Sequence, residues 1–506
     1  MLVEKYISMI DEGGPKSHYS FETLVQHLLK SHVEDQGKPY EYLDRKKLID
    51  FGDAFAPEGF DYFDGPTLIE VKFNLGNVHF KKYIERLLSF ASRGESELSI
   101  KHLIVISAKP IPALFVERYG QALRSKSWPF EVHFWGPEEL NIIIEKNIAL
   151  ADEISKNIFS LRLDDAFKSQ PIDWRLERAT IVEKIKNCYI RGHFSLILGA
   201  GVSSSAGMPD WNTLLNSLFV RYMTHKFDGD SAISDDDIQI LVGRLNSINE
   251  PSALMAARYL RRGLSNDGGE TKSFISAITE TLYKLRDSKF EIDSSLIRSL
   301  ASMCLTRRTG VKIRSVITYN FDDLFERQLK GSLIQAKPIY TEGDSYDPDD
   351  LPVYHVHGFL PEDQSSYQSL DDSMLVFSEE GYHHIYSEPY HWTNLVQLNT
   401  FRENNCLMVG LSMTDPNLRR LLDISSKSSE GTKHFAFMKR LTVNDFCFDT
   451  GKSERRQVVH NLSSAEKFLE QHHALNEELM KELGVTIVWY ESYSDIPEII
   501  QSIAKS

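Results

Sequence analysis

The sequence predicts an α/β protein of two domains, the second built on an open parallel sheet, and three observations lead there. Four short apolar or β-branched runs, in the segments Phe194–Trp211, Val316–Glu326, Val353–Pro361 and Cys406–Leu422, each give way abruptly to polar residues. Such runs read as buried strands with their chemistry at the carboxyl ends, the edge where open parallel sheets bind ligands. The first run breaks into Gly199-Ala200-Gly201, three serines, Gly207 and Pro209, a turn that brings bare backbone close to whatever lies above the sheet. Ahead of these segments, residues 1–150 carry a separate pattern of amphipathic helix and short strands. A chain of 506 residues has room for two or three domains with sizeable cores.

Element by element, the glycine turn after Leu198 reads as a cradle for a nucleotide diphosphate, because larger side chains would keep a phosphate away from the backbone N–H groups. Three more strand ends follow in order: Thr318-Tyr319-Asn320-Phe321-Asp322, His357-Gly358 and Gly410-Leu411-Ser412. Each piece is common, and Asn320 alone could be a turn residue. The ordered set resembles the sirtuin (SIR2) family, whose signature runs GAGxS, TxNxD, HG and GxS. That resemblance implies a Rossmann-like sheet with a helical insertion and NAD as the ligand. It further implies that Gly199, Ala200 and Gly201 offer N–H groups to the pyrophosphate, with Ser203 as an added donor. Asn320 and Asp322 would grip the nicotinamide ribose and a water, Asp210 would bind the carboxamide, and His357 would accept a proton. Gly410, Ser412 and Asp415 would line the adenosine side. His355 has no place in the family pattern and reads as a packing residue or as a support just behind the ligand-contacting residues.

The departures narrow the resemblance. Deacylating sirtuins carry two close cysteine pairs that bind zinc, whereas Cys188, Cys304, Cys406 and Cys447 are scattered, so no zinc ribbon is expected. Pro209-Asp210-Trp211-Asn212 replaces the sirtuin PDFR segment, and Tyr319 replaces a glutamine. The Gly-x-Pro-x-Trp turn, Ser378–Tyr382 and Asp415-Pro416-Asn417-Leu418-Arg419 are instead similar to SIR2-like NAD hydrolases of bacterial antiphage defence. This likeness runs from Trp174 to the end of the chain. It implies NAD+ as substrate, cleavage to nicotinamide and ADP-ribose, a homo-oligomer, and activation by a phage trigger or a partner defence protein. Two other readings stay open: a regulated DNA nuclease whose SIR2 domain senses NAD or ADP-ribose without turnover, and an NAD-dependent deacylase.

Composition limits the remaining classes. A net charge of −15 argues against constitutive, electrostatically driven nucleic-acid binding. Residues 1–150 contribute only −4 of it, and Thr341–Thr400 contains no Lys or Arg. That stretch reads as a solvated loop, or as a negative field favouring a cationic nicotinamide ring. No apolar run approaches the length of a bilayer span, and the cysteines suit a reducing compartment, so a cytoplasmic protein without membrane attachment is expected.

In the front domain, Phe21, Leu24, Val25, Leu28 and Leu29 recur at helical spacing, and Gly59–Phe73 reads as a hairpin turning at Asp64-Gly65-Pro66. Ile69, Val71 and Phe73 would share one face and Glu70 and Lys72 the other, with Asp61 on the paired arm. This pattern resembles the PD-(D/E)xK nucleases, nearest to the Mrr-type restriction endonucleases, and so a restriction-endonuclease-like α/β/α domain. The resemblance implies Mg²⁺ held by Asp61 and Glu70, a water-orienting Lys72, support from Glu22, and DNA as a substrate. The predicted boundaries are 1–150 for this domain, 151–173 for a packed connector and 174–506 for the SIR2-like domain. Within the last, a helical insertion is expected over about 227–301, including Ser252–Leu264 and Phe274–Leu285.

Overall fold

A computed structural model describes residues 2–43, 52–75, 100–114, 116–117, 130–168, 173–227, 237, 240–244, 271–305, 310–376, 379–429, 431–449 and 456–505. The chain divides into two compact units. The first comprises Met1–Glu177, Ser426–Thr432 and Val443–Gly484, and the second comprises Arg178–Ser425, Lys433–Thr442 and Val485–Ser506.

In the first unit the apolar stripe predicted from the sequence lies on the helix Gly14–Glu34, where Phe21, Leu24, Val25, Leu28 and Leu29 are all buried. Each such side chain removed from water contributes roughly 1.5–3 kcal/mol. Phe21 meets Phe73 edge-on at 5.8 Å, which seats the helix on a five-stranded sheet. The strands, in spatial order, are β1 (Glu41–Tyr42), β2 (Ala54–Ala56), β3 (Thr67–Lys72), β4 (His102–Ser107) and β5 (Glu131–Trp135). β2 pairs antiparallel with both β1 and β3, and β3, β4 and β5 pair in parallel. The next helix, Pro137–Lys146, starts where Gly136 N–H bonds the Glu139 carboxylate at 2.7 Å.

The structure corrects the predicted hairpin. β3 pairs with Ala54–Ala56, while Gly59–Asp64 form a looping turn held by Gly59 N–H to Ala56 O and Phe63 N–H to Phe60 O. Gly59 adopts φ +67°, and a Cβ there would lie 2.1 Å from Phe63 O, so the turn closes only around glycine. The predicted turn at Asp64-Gly65-Pro66 instead delivers the chain into β3. The predicted connector is the helix Ile148–Lys168, broken at Asn157; Pro171 lies outside the described residues.

The second unit holds a seven-stranded sheet in which every pairing is parallel. Its strands are β6 (Phe194–Leu198), β7 (Ile313–Thr318), β8 (Ala336–Ile339), β9 (Leu351–His355), β10 (Asn405–Val409) and β11 (His434–Lys439). After the first unit's two-residue ribbon, β12 (Phe448–Asp449) with β13 (Arg456–Gln457), comes β14 (Val485–Tyr490). The order β14-β11-β10-β6-β7-β9-β8 places β6 centrally. From β6 the chain passes to β7, then to the edge strand β8 and back to β9 between them, before crossing to β10 on the other side of β6. The reversal opens a crevice at the carboxyl ends of β6 and β10. Helices Trp174–Arg191 and Asp495–Ala504 bury apolar faces in the core of this unit. Of the predicted insertion, Thr271–Lys284 and Ser295–Met303 are helical, while Ser252–Leu264 lies outside the described residues.

The predicted second domain, 174–506, is not one body. Residues 443–484 belong to the first unit, where the helix Leu462–Glu482 packs on helices Gly14–Glu34 and Ile148–Lys168. No described helix is long and apolar enough to cross a membrane.

Candidate functional site

The crevice of the second unit is made of backbone packed on backbone. Gly199, just past β6, would drive a Cβ to within 2.6 Å of Gly410 O, and Gly410, just past β10, has φ +71° with a Cβ position 2.6 Å from Val202 N. Two of the N–H groups expected to meet a pyrophosphate are engaged within the protein. Gly199 N–H bonds Val409 O and Gly201 N–H bonds Gly410 O, both at 2.9 Å, so these donors lock two loops together. What they leave open is the surface, since Ala200 and Gly201 are exposed at the start of the short helix Ala200–Ser204.

Beside this lock stands a buried polar network. Asn320 Nδ2 donates to Gly199 O at 3.0 Å and to Ser203 Oγ at 2.8 Å, while its Oδ1 is buried without a partner. The Ser203 hydroxyl, which accepts from Asn320, also acts on the Asp322 carboxyl and favours its ionised form. Burial pushes Asp322 up to about 6, against the opposing bonds from Ser203 and Leu324 N–H. His357 lies 3.9 Å from Asp415 Oδ2 and edge-on to the Tyr319 ring at 4.6 Å. Burial lowers its affinity for a proton, only partly offset by Asp415, which leaves a neutral imidazole at neutral pH. The structure thus brings together Asn320, Asp322, Ser203, Gly199 and Gly410, with His357 facing Asp415.

Three predicted ligand residues are occupied in local structure. Asp210 Oδ1 accepts Thr213 N–H at 2.7 Å and caps the helix Trp211–Phe227, and Asp415 Oδ1 does the same for Leu418 N–H before Pro416–Ser426. Ser412 Oγ bonds Thr414 Oγ1 at 2.6 Å. Two further residues support the network, and the sequence reading missed one of them. His355 bridges Asn320 O (3.2 Å) and the Glu326 carboxylate (2.6 Å), so it supports the Asn320 loop from beneath. Tyr283 donates to Asp323 Oδ1 at 2.9 Å from the described part of the helical insertion. His355 thus stands behind the Asn320 loop, one of the two places expected for it, whereas nothing local pointed to Tyr283.

In the first unit the predicted acid–lysine site is altered. Glu70 and Lys72 do form an ion pair, and Glu70 Oε2 also accepts Gly52 N–H at 2.7 Å. Asp61 is elsewhere: with φ +49°, its carboxylate bonds His32 Nε2 at 3.0 Å and Gln36 Nε2 at 2.9 Å. The carboxylate beside Glu70 belongs to Asp53, which precedes β2 and accepts Val71 N–H at 2.7 Å. Since Ala54 pairs with Ile69, Asp53 falls opposite Glu70. Burial raises the Glu70 pKa, Lys72 opposes the rise and the Asp53 charge adds to it. Glu22 joins through Gln26, whose Nε2 reaches both Glu22 Oε1 (3.4 Å) and Asp53 O (3.2 Å).

Comparison with known proteins gives two matches. Residues 314–463 match the SIR2-like domain model. The match begins within β7, takes in Asn320, Asp322, His357, Gly410, Ser412 and Asp415, and leaves out the Gly199 turn. Over 336 residues, 65% of this chain, the sequence is 23% identical to NAD(+) hydrolase ThsA of Enterococcus faecium. That alignment spans 59% of the relative's length. The parallel sheet agrees with a Rossmann-like SIR2 domain.

Proposed function

We propose that the second unit is an NAD+ glycohydrolase that serves as an antiphage effector. The observation that carries this is the polar network at the reversal point of the sheet, where Asn320 Oδ1 is buried without a partner and Asp322 is held with a raised pKa. An orphaned acceptor in a crevice suits a ribose hydroxyl. The chemistry is water plus NAD+ giving nicotinamide, ADP-ribose and a proton. The bond from C1′ to the ring nitrogen breaks with its electron pair going to nicotinamide, while a water oxygen adds to C1′. Asn320 orients the ribose, ionised Asp322 favours the cationic C1′ centre, and neutral His357 takes the water's proton. Exposed Ala200 would give the pyrophosphate an open stretch of backbone, and the Asp210 oxygen not used in the helix cap would meet the carboxamide. The similarity to an NAD(+) hydrolase supports the same reading.

Chromatography of NAD+ incubated with the purified chain, with and without phage lysate, tests it. Asn320→Ala and His357→Ala are each expected to lower turnover by about 10²–10⁴-fold. Full turnover in both variants would refute the assignment. Activation by a phage component or self-assembly belongs to the same proposal, because an ungated hydrolase would consume the host's NAD+.

A second reading applies to the first unit, and the Asp53–Glu70–Lys72 cluster favours it: a metal-dependent DNA nuclease. Two buried carboxylates, one just before β2 and one on β3, suit a hard divalent cation such as Mg²⁺, which would activate water and steady charge at a phosphate. Asp53 and Glu70 would hold the ion and Lys72 would orient the water. DNA cutting dependent on Mg²⁺ is expected to vanish in Asp53→Ala and Glu70→Ala and to survive in Asp61→Ala, with NAD+ cleavage unchanged in all three. Cutting that persists in Glu70→Ala rejects this reading.

A further inference from the structure

We propose that His102, Glu131 and His133 form a binding site for a divalent transition-metal ion of the zinc class. The fold brings them together through two simple rules. His102 opens β4 and stands in register with Glu131, the first residue of the parallel neighbour β5. His133 is two residues further along β5, so strand alternation returns it to the face of Glu131. The three donor atoms form a small triangle: His102 Nδ1 to His133 Nε2 is 3.3 Å, His102 Nδ1 to Glu131 Oε2 is 3.6 Å, and His133 Nε2 to Glu131 Oε2 is 3.7 Å. Ligands about 2.0–2.1 Å from a tetrahedral zinc ion lie about 3.3–3.4 Å apart. The carboxylate faces both imidazoles just beyond hydrogen-bonding length. A cation at the centre of the triangle turns three near approaches into three bonds.

The surroundings fit the same role. His102 Nε2, the nitrogen turned away from the triangle, faces Asp64 Oδ1 at 3.5 Å, and Lys101 holds Asp64 at 2.8 Å. A carboxylate behind a ligating histidine fixes its tautomer and strengthens it as a ligand. The buried Phe63 ring packs against both imidazoles, 5.4 Å from His102 and 4.8 Å from His133. Glu131 is 73% exposed, so water reaches the remaining coordination positions. The site is separate from the acid–lysine cluster, because His102 pairs with Thr67, at the opposite end of β3 from Lys72. It also needs no cysteine, and the absence of paired cysteines therefore does not bear on it.

The test uses the full chain, stripped of metal by a chelator and titrated with Zn²⁺ against a colorimetric competitor. Uptake of an equivalent of Zn²⁺ by the wild type is expected, lost in His102→Ala and His133→Ala. Asp64→Asn is expected to weaken it about 10- to 100-fold. Circular dichroism in EDTA establishes that each variant folds, and Co²⁺ loading reports coordination directly through a visible absorption band absent from His133→Ala. Should the histidine variants fail to fold, the Asp64→Asn shift decides. No Zn²⁺ uptake by the wild type, or equal uptake by wild type and His133→Ala, overturns the proposal.

Discussion

Asp322 shows how one side chain ties stability to function. Its carboxyl ionises near 3.8 in an ordinary setting and near 6 in its buried place. Between those values the folded chain holds a proton that the unfolded chain has released, so stability falls as pH rises through that window, by roughly 2–3 kcal/mol. Asp322→Asn removes the penalty. The variant is expected to be more stable than the wild type at pH 8 by on the order of 1–3 kcal/mol, with the gap closing at pH 4, while NAD+ cleavage is lost. Equal melting shifts at both pH values would show that burial of charge is not the cause. At this scale the sequence was only partly legible. Asn320, Asp322 and His357 could be named because each follows a recognisable strand end. Asp53 could not be chosen over Asp61, since both lie upstream of Glu70 and only the register of β2 against β3 decides between them. The helix-capping duty of Asp210 and Asp415 was likewise hidden, because a capping carboxylate and a ligand carboxylate look alike in a sequence.

At the scale of elements, the crevice depends on two loops that touch through their backbones. Gly410 is the strictest position, with φ +71° and a Cβ site 2.6 Å from Val202 N. Gly410→Ala meets both a left-handed backbone penalty and an overpacked contact, for an expected loss of roughly 2–4 kcal/mol. Because the clash would push the turns after β6 and β10 apart, NAD+ cleavage is expected to fall as well, even at temperatures where the variant remains folded. Thermal melts and turnover at 20 °C check the two effects separately, and a variant with wild-type stability would refute the packing argument. The strands bearing this site were readable because a parallel strand buried on both faces is a plain apolar run. The hairpin at Gly59–Phe73 was misread for the opposite reason. β2 is only three residues long, and Ala54-Phe55-Ala56 has no alternation to announce a strand.

At the scale of the molecule, the chain does not finish one unit before starting the next. Residues 443–484 lie far along the sequence yet complete the first unit. Nothing in their composition marks the change, since a polar helix such as Leu462–Glu482 shows which face is apolar but not what it meets. One residue records the meeting: Arg162, 5% exposed, bonds Glu478 at 3.1 Å and Glu482 at 2.8 Å. Removing one member of a buried ion network leaves its partners desolvated, which costs about 3–5 kcal/mol when none is compensated. Glu478 keeps Lys481 at 2.6 Å, so Arg162→Ala is expected to cost somewhat less, roughly 2–3 kcal/mol. Arg162→Lys should recover only part of this, because an ammonium cannot span both carboxylates. The same logic governs truncation. A fragment starting at Trp174 keeps the helix Leu462–Glu482 but lacks the helices Gly14–Glu34 and Ile148–Lys168 on which it packs, and is expected to aggregate or melt well below the full chain. A soluble, cooperatively melting fragment, together with an Arg162→Ala variant as stable as the wild type, would show that residues 443–484 fold without the first 173.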